Sequence, residues 1–185
     1  MPMLKWIIAL TLLVILPSQA EDLSVELSAR ASVIESIDGV FNQQRRITAL
    51  PLPLNSSGRF HYKKNEGIRW QTLLPVKSSL TITPKGLSMD GNNPQNLGAA
   101  QFAQALLGIF SGEFNRLQEQ FNIIASGDSE HWQLTLLPKN KLVAARITEI
   151  RISGAEMTES IEVHETNGDN LLISFSGESI RTVVP

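Results

Sequence analysis

Cysteine is absent from all 185 positions, which excludes disulfides, thiolate catalysis and cysteine-ligated zinc. Strong charge is absent too. The formal net charge is −2, without the concentrated basic face that nucleic acids favour, so no nucleic-acid partner is expected. Histidine is scarce: His61, His131 and His164 fall on three different expected strands, none with a second ligand at close helical spacing. Each reads as a surface or edge histidine, and no metal site is expected. No Gly-x-Ser-x-Gly turn presents an acyl-transfer serine, and no glycine-rich phosphate loop opens a helix. Glu156, Glu159, Glu162 and Glu165 read as a solvated hairpin, not as an acid–base pair held apart in a cleft. Catalytic residues and cofactors are therefore not called for, and the chain is not expected to be an enzyme. Beyond residue 20 no stretch is apolar enough to span a bilayer, and internal repeats and low-complexity tracts are missing.

What is present begins with a short greasy N-terminus. Lys5 supplies a charged region, Trp6–Leu16 an apolar run, and Pro17-Ser18-Gln19-Ala20 ends in small residues suited to cleavage before Glu21. A membrane-spanning helix needs about 20 apolar residues, and this run is shorter and is followed at once by Glu21-Asp22. Residues 1–20 are thus expected to be a signal peptide, with residues 21–185 a single exported domain. Losing Lys5 takes the net charge from −2 to −3, and no cysteine sits near the cut to carry a lipid.

In the mature chain, Leu23, Leu27, Ala31 and Ile34 recur at helical spacing, predicting an amphipathic helix over Asp22–Ser36, with Asp38-Gly39 as its break. Val40–Thr48 is the expected first strand, and Leu50-Pro51-Leu52-Pro53-Leu54 with Asn55-Ser56-Ser57 a loop. Gly58–Met89 then reads as an antiparallel meander with one apolar side. Phe60, Tyr62 and Lys64 share a face of one strand, and Ile68, Trp70 and Thr72 a face of the next, because strand side chains alternate with period two. Leu80 and Ile82, then Leu87 and Met89, continue the apolar side. Asn96–Phe110 is an expected helix with Phe102, Leu106, Ile109 and Phe110 apolar, and Glu113–Phe121 a second. Strands return at Ile123–Ala125, His131–Leu137, Val143–Ser153, Ser160–Glu165 and Leu171–Phe175. No strand–helix–strand rhythm appears, so the sheet is expected to be antiparallel, with about ten strands. On apolar content alone, helices filling the sheet's concavity would make an ordinary closed core.

The order Phe41-Asn42-Gln43, Gly58-x-Phe60-x-Tyr62, Gly67-Ile68-Arg69-Trp70, Pro75 and Leu80 resembles the LolA family of periplasmic lipoprotein carriers, well over about fifty residues and elsewhere in the order of elements. The chain departs from that pattern at Lys64, where those carriers usually have arginine, and at Leu87-Ser88-Met89, where they tend to have an aromatic pair.

The resemblance implies a mainly β, α+β fold: an incomplete antiparallel β-barrel with a helical lid over an apolar cavity that accepts acyl chains. Phe60, Tyr62, Ile68, Trp70, Leu80, Ile82, Leu87 and Met89 would wall the cavity. Phe102, Leu106, Ile109 and Phe110 would form the lid, with Lys64 as its latch. The implied partners are an acylated lipoprotein or other lipid as cargo, an inner-membrane donor complex and an outer-membrane acceptor, with the carrier a monomer. The departures point to a specialised paralogue. Two other readings use the same fold: a soluble lipid-sensing regulatory protein, and a periplasmic acyl-group enzyme.

Periplasmic protein is expected to begin at Glu21 and to stay soluble without detergent. N-terminal sequencing that found Met1 would reject the assigned leader.

Overall fold

The computed structural model describes residues 19–92 and 97–182, with side chains from residue 23 in the first segment and from 102 in the second. The expected leader lies outside these residues apart from its last two. In chain order the elements are α1 (Gln19–Ser32), β1 (Ile34–Arg46), β2 (Leu54–Lys63), β3 (Gly67–Leu74), β4 (Ser78–Thr83) and β5 (Gly86–Met89). There follow α2 (Leu97–Ser111), α3 (Phe114–Gln120), β6 (Phe121–Gly127), β7 (Trp132–Pro138), α4 (Lys141–Ala144), β8 (Ile147–Gly154), β9 (Thr158–Glu165) and β10 (Asn170–Thr182).

All ten strands form one antiparallel sheet in the order β5-β4-β3-β2-β1-β10-β9-β8-β7-β6. The outermost strands β5 and β6 do not pair with each other, so the barrel is incomplete, as expected. β1 and β10, each 13 residues long, pair along their length from Ile34↔Thr182 to Arg46↔Asn170 and join the halves of the sheet. At one end lie the β2–β3, β6–β7 and β8–β9 turns. At the other lie the β1–β2 and β3–β4 loops and the β9–β10 turn.

The structure moves several expected boundaries. The first helix stops at Ser32, not Ser36, because Ile34–Asp38 pair with the last residues of β10, and β-branched Val33 and Ile34 favour extended backbone. Ile34 is buried as a strand residue, not as the last member of a helical stripe. Asp38-Gly39 lies inside β1 as a register irregularity. Leu54–Ser57, expected as loop, begins β2 because β1 offers it a ladder from Arg45↔Leu54 onward. Val143 belongs to α4, whose Asn140 cap accepts a hydrogen bond from the Leu142 amide, so β8 starts only at Ile147.

The inner face of the sheet is one continuous core. Cross-strand partners line up in rows: Phe60–Trp70–Leu80–Met89 and Tyr62–Ile68–Ile82–Leu87 run across β2 to β5. On the other half, Leu134–Ile152–Ile161–Ile173 does the same from β7 to β10. At Gly58 the chains approach so closely that an added Cβ would lie 1.9 Å from the Gln71 carbonyl oxygen and 2.9 Å from the Phe41 ring. Backbone has to move to admit it. Gly58→Ala is therefore expected to lower stability by about 2–3 kcal/mol, read as a shift in the urea midpoint with the far-UV spectrum retained.

Candidate functional site

The apolar inner rows would face water unless something lay on them, and α2 does. Ala105 through Phe110 are buried without a break, the pattern of a helix enclosed on all sides. Phe110 enters the centre of an aromatic cluster contributed by four strands. Its ring centroid lies 5.3 Å from Phe60, 6.0 Å from Tyr62 and 5.7 Å from Phe175. Trp70 stacks on Phe41 at 3.9 Å and meets Phe175 edge-on at 6.1 Å. Offset and edge-on pairs of this kind add about 0.5–1.5 kcal/mol each beyond area burial.

Of the expected wall, Phe60, Tyr62, Ile68, Trp70 and Ile82 are buried, Leu80 and Leu87 pack against the core at its margin, and Met89 at the edge is 44% exposed. Of the expected lid, Leu106, Ile109 and Phe110 are buried, and Phe102 packs against them partly covered. The structure thus brings these residues together, but in this conformation the lid helix fills the space it was expected to cover. Among the described residues a small, partly open apolar pocket of about 40 Å³ lies between α1, β1, α2 and β7, lined by Leu27, Ile37, Ile109, Phe110, Trp132 and Met157 among others. Ligand pockets are roughly 300–1,000 Å³, so an acyl chain enters only if helix moves out.

Few polar bonds hold the helices at this end. Ser28 Oγ of α1 donates to the carbonyl of Gly112, just after α2, at 2.6 Å. Lys64 Nζ donates to the carbonyl of Ser32, the last residue of α1, at 2.5 Å. The expected latch therefore reaches α1, not α2. Arg30, which lies off the apolar stripe of α1, donates from Nη1 to Ser129 O at 2.8 Å and to Ala155 O at 3.5 Å, and from Nη2 to Glu26 at 2.6 Å. It joins α1 to the β6–β7 and β8–β9 turns. Above these contacts a groove of about 770 Å³ opens outward, with Val33, His131 and Ile180 on its rim.

Sequence reasoning also missed Phe41 and Phe175 as cluster members. The signal was available, because Phe41 heads the quoted Phe-Asn-Gln triplet and Phe175 alternates with Ile173. Two of the histidines lie elsewhere: His61 pairs with Asp38 at 2.7 Å in the open, and His164 with Glu162 at 3.2 Å. Among the described residues no three metal-ligating side chains converge.

Burial, and next Glu113, push the Tyr62 phenol up to about 12. An unfolded tyrosine ionises near pH 10, so between about 10 and 12 the unfolded chain holds fewer protons and stability falls as pH rises. Tyr62 is the chain's single tyrosine. Phenolate absorbance is expected to stay flat past pH about 10 and to rise only with unfolding. Ionisation of the folded protein near the ordinary value would contradict the burial.

The family described as "Outer membrane lipoprotein carrier protein LolA-like" matches residues 83–180, just over half of the chain. Among solved structures, a LolA superfamily protein from Nitrosomonas europaea is 9% identical with a TM-score of 0.46, over 87% of this chain and 94% of that one. A putative outer membrane lipoprotein-sorting protein domain from Vibrio parahaemolyticus is 10% identical with a TM-score of 0.44, over 90% and 94%. In the MucA/MucB complex of Pseudomonas aeruginosa the figures are 13% and 0.47, over 91% of this chain but 59% of its counterpart. None of the curated proteins matches the sequence.

Proposed function

Because the chain belongs to the LolA-like family of outer membrane lipoprotein carrier proteins, we propose that it is a periplasmic carrier that holds the acyl chains of a lipoprotein or another lipid against the inner face of its open barrel. On this reading residues 1–20 are a cleaved leader and the remainder is one domain. Cargo is taken from an inner-membrane donor and passed to an outer-membrane acceptor by a monomer that performs no covalent chemistry.

The observation that carries the reading is that, among the described residues, α2 is seated on the strand rows mainly by apolar contact, with one long bond from Gln104 Nε2 to Thr83 O at 3.5 Å, while the neighbouring α1 is tied down by a handful of hydrogen bonds. Apolar seating is exchangeable: an acyl chain can replace Phe110 and Leu106 on the same surface. About ten buried methylenes contribute roughly 8 kcal/mol. Ordering the chain and displacing the helix subtract several kcal/mol. The remainder holds cargo across an aqueous gap and still lets it go.

Trp70 reports the exchange, since its ring lies in the cluster that cargo would enter. In a Trp132→Phe background, titration with a lysophospholipid or a long-chain fatty acid is expected to shift or quench Trp70 emission. Phe110→Ala removes the central plug and is expected to raise apparent affinity at least about tenfold, since less binding energy goes into displacement. Lys64→Leu, which frees the Ser32 carbonyl, is expected to raise it a few-fold, and Lys64→Arg to restore the parent behaviour. Emission that stays unchanged at saturation with several lipids, in the parent and in Phe110→Ala alike, would mean a closed core and reject the carrier.

A further inference from the structure

Large apolar side chains left in water concentrate at one end of the sheet. Leu50 and Leu52, the latter at 74% exposure, belong to the β1–β2 connection and Leu54 opens β2, while beside them Leu74 ends β3 at 63% exposure and Val76 of the β3–β4 loop is at 73%. The two loops are neighbours, because β2 starts at Leu54 and its Ser57 pairs with Leu74 at the end of β3. Contiguous exposed apolar surface marks a site of contact with a partner or membrane.

The tip is built, not loose. Pro51, Pro53 and Pro75 restrict it, and Leu50 N donates to Ile47 O at 2.9 Å. The Thr48 amide donates to Asp169 Oδ1 at 2.9 Å and the Thr48 hydroxyl to Asn167 O at 3.4 Å, pinning the loop to the β9–β10 turn. The acidic groups nearby are already engaged: Glu165 and Asp169 face Arg45 at 2.6 and 3.8 Å. At this end, residues 45–57 and 73–79 carry only basic charges, those of Arg45, Arg46 and Lys77. The chain as a whole is net negative, so this end is opposite in sign to the average. Beside the tip, Asn42, Asn55, Leu74, Pro75 and Leu172 help to line an open groove of about 590 Å³.

We infer that this end is a membrane-docking tip for an anionic phospholipid surface. Leu52, Leu74 and Val76 enter the headgroup–acyl boundary, and Arg46 and Lys77 meet lipid phosphates. Apolar insertion combined with basic charge is the pairing that interfacial binding rewards. The tip lies at the opposite end of the sheet from the Lys64 and Arg30 ties, so docking leaves the bonds that hold α1 in water and free to break.

The test uses protein recovered from the periplasm, its N-terminus determined by mass spectrometry, and no acyl cargo. Its result is therefore independent of the carrier reading. Co-sedimentation is measured with vesicles of phosphatidylcholine alone and with an equal part of phosphatidylglycerol. The parent is expected to bind the anionic vesicles and to lose binding at high salt. Leu52→Asp with Val76→Asp is expected to lower that binding more than about tenfold, and Arg46→Gln with Lys77→Gln by about tenfold, both with unchanged melting. Should the double aspartate variant misfold, Leu52→Trp supplies the readout: a blue shift on anionic vesicles, quenched by brominated lipid, is expected. Absence of parent binding, equal binding by the variants, or a concentration-dependent dimer that the aspartates abolish without vesicle binding would each overturn the inference.

Discussion

A sheet that does not close leaves its apolar inner rows needing a cover, and the rest of the molecule follows from how that cover is supplied. Burying a side chain the size of Leu, Ile or Phe is worth about 1.5–3 kcal/mol, so Leu106, Ile109 and Phe110 together contribute roughly 5–9 kcal/mol. The net stability of a domain is about 5–15 kcal/mol. Lifting α2 into water with nothing in its place would thus consume most of the folding free energy. A helix in this position can leave only as something equally apolar arrives. In the proposed carrier, opening would be coupled to loading without a dedicated switch residue, and polar ties such as Ser28–Gly112 and Lys64–Ser32 would set how readily the exchange starts.

The central meander was legible because its strands are short, alternate cleanly and are separated by residues with unmistakable turn chemistry. Gly67 takes a φ of +111° and Asn65 one of +66°, as expected of a turn there. The two-residue spacing of Phe60 and Tyr62, Ile68 and Trp70, Leu80 and Ile82, and Leu87 and Met89 was enough to put eight side chains on one face. What sequence could not supply was register, which turned that list into two transverse rows, and anything decided by partners far along the chain. The start of β1 was hidden because Ile34 completes a helical stripe as well as it begins a strand. The second half of β10, Ser176–Thr182, is polar and shows no alternation. It is a strand because β1 lies beside it.

Lys64 shows the limit at a single residue. Period two put it on the inward face, and it sits there half-covered. Its partner is a helix-terminal carbonyl 32 positions earlier, and no spacing rule contains such a pair. The state of the interior was equally out of reach. A hollow lined with apolar residues and a core filled by them have the same composition, and only the position of Phe110 among the strand rings distinguishes them.

The pairing of β1 with β10 also bears on when the molecule can fold. Strands β1 to β5 are complete once Met89 has been made, yet one edge of β1 stays bare until the final strand arrives. Contacts between residues as far apart as Ile34 and Thr182 close a loop nearly as long as the chain, and folds dominated by such contacts form slowly. The seam that unites the two halves of the wall thereby acts as a timer, since it cannot close before β10 has emerged.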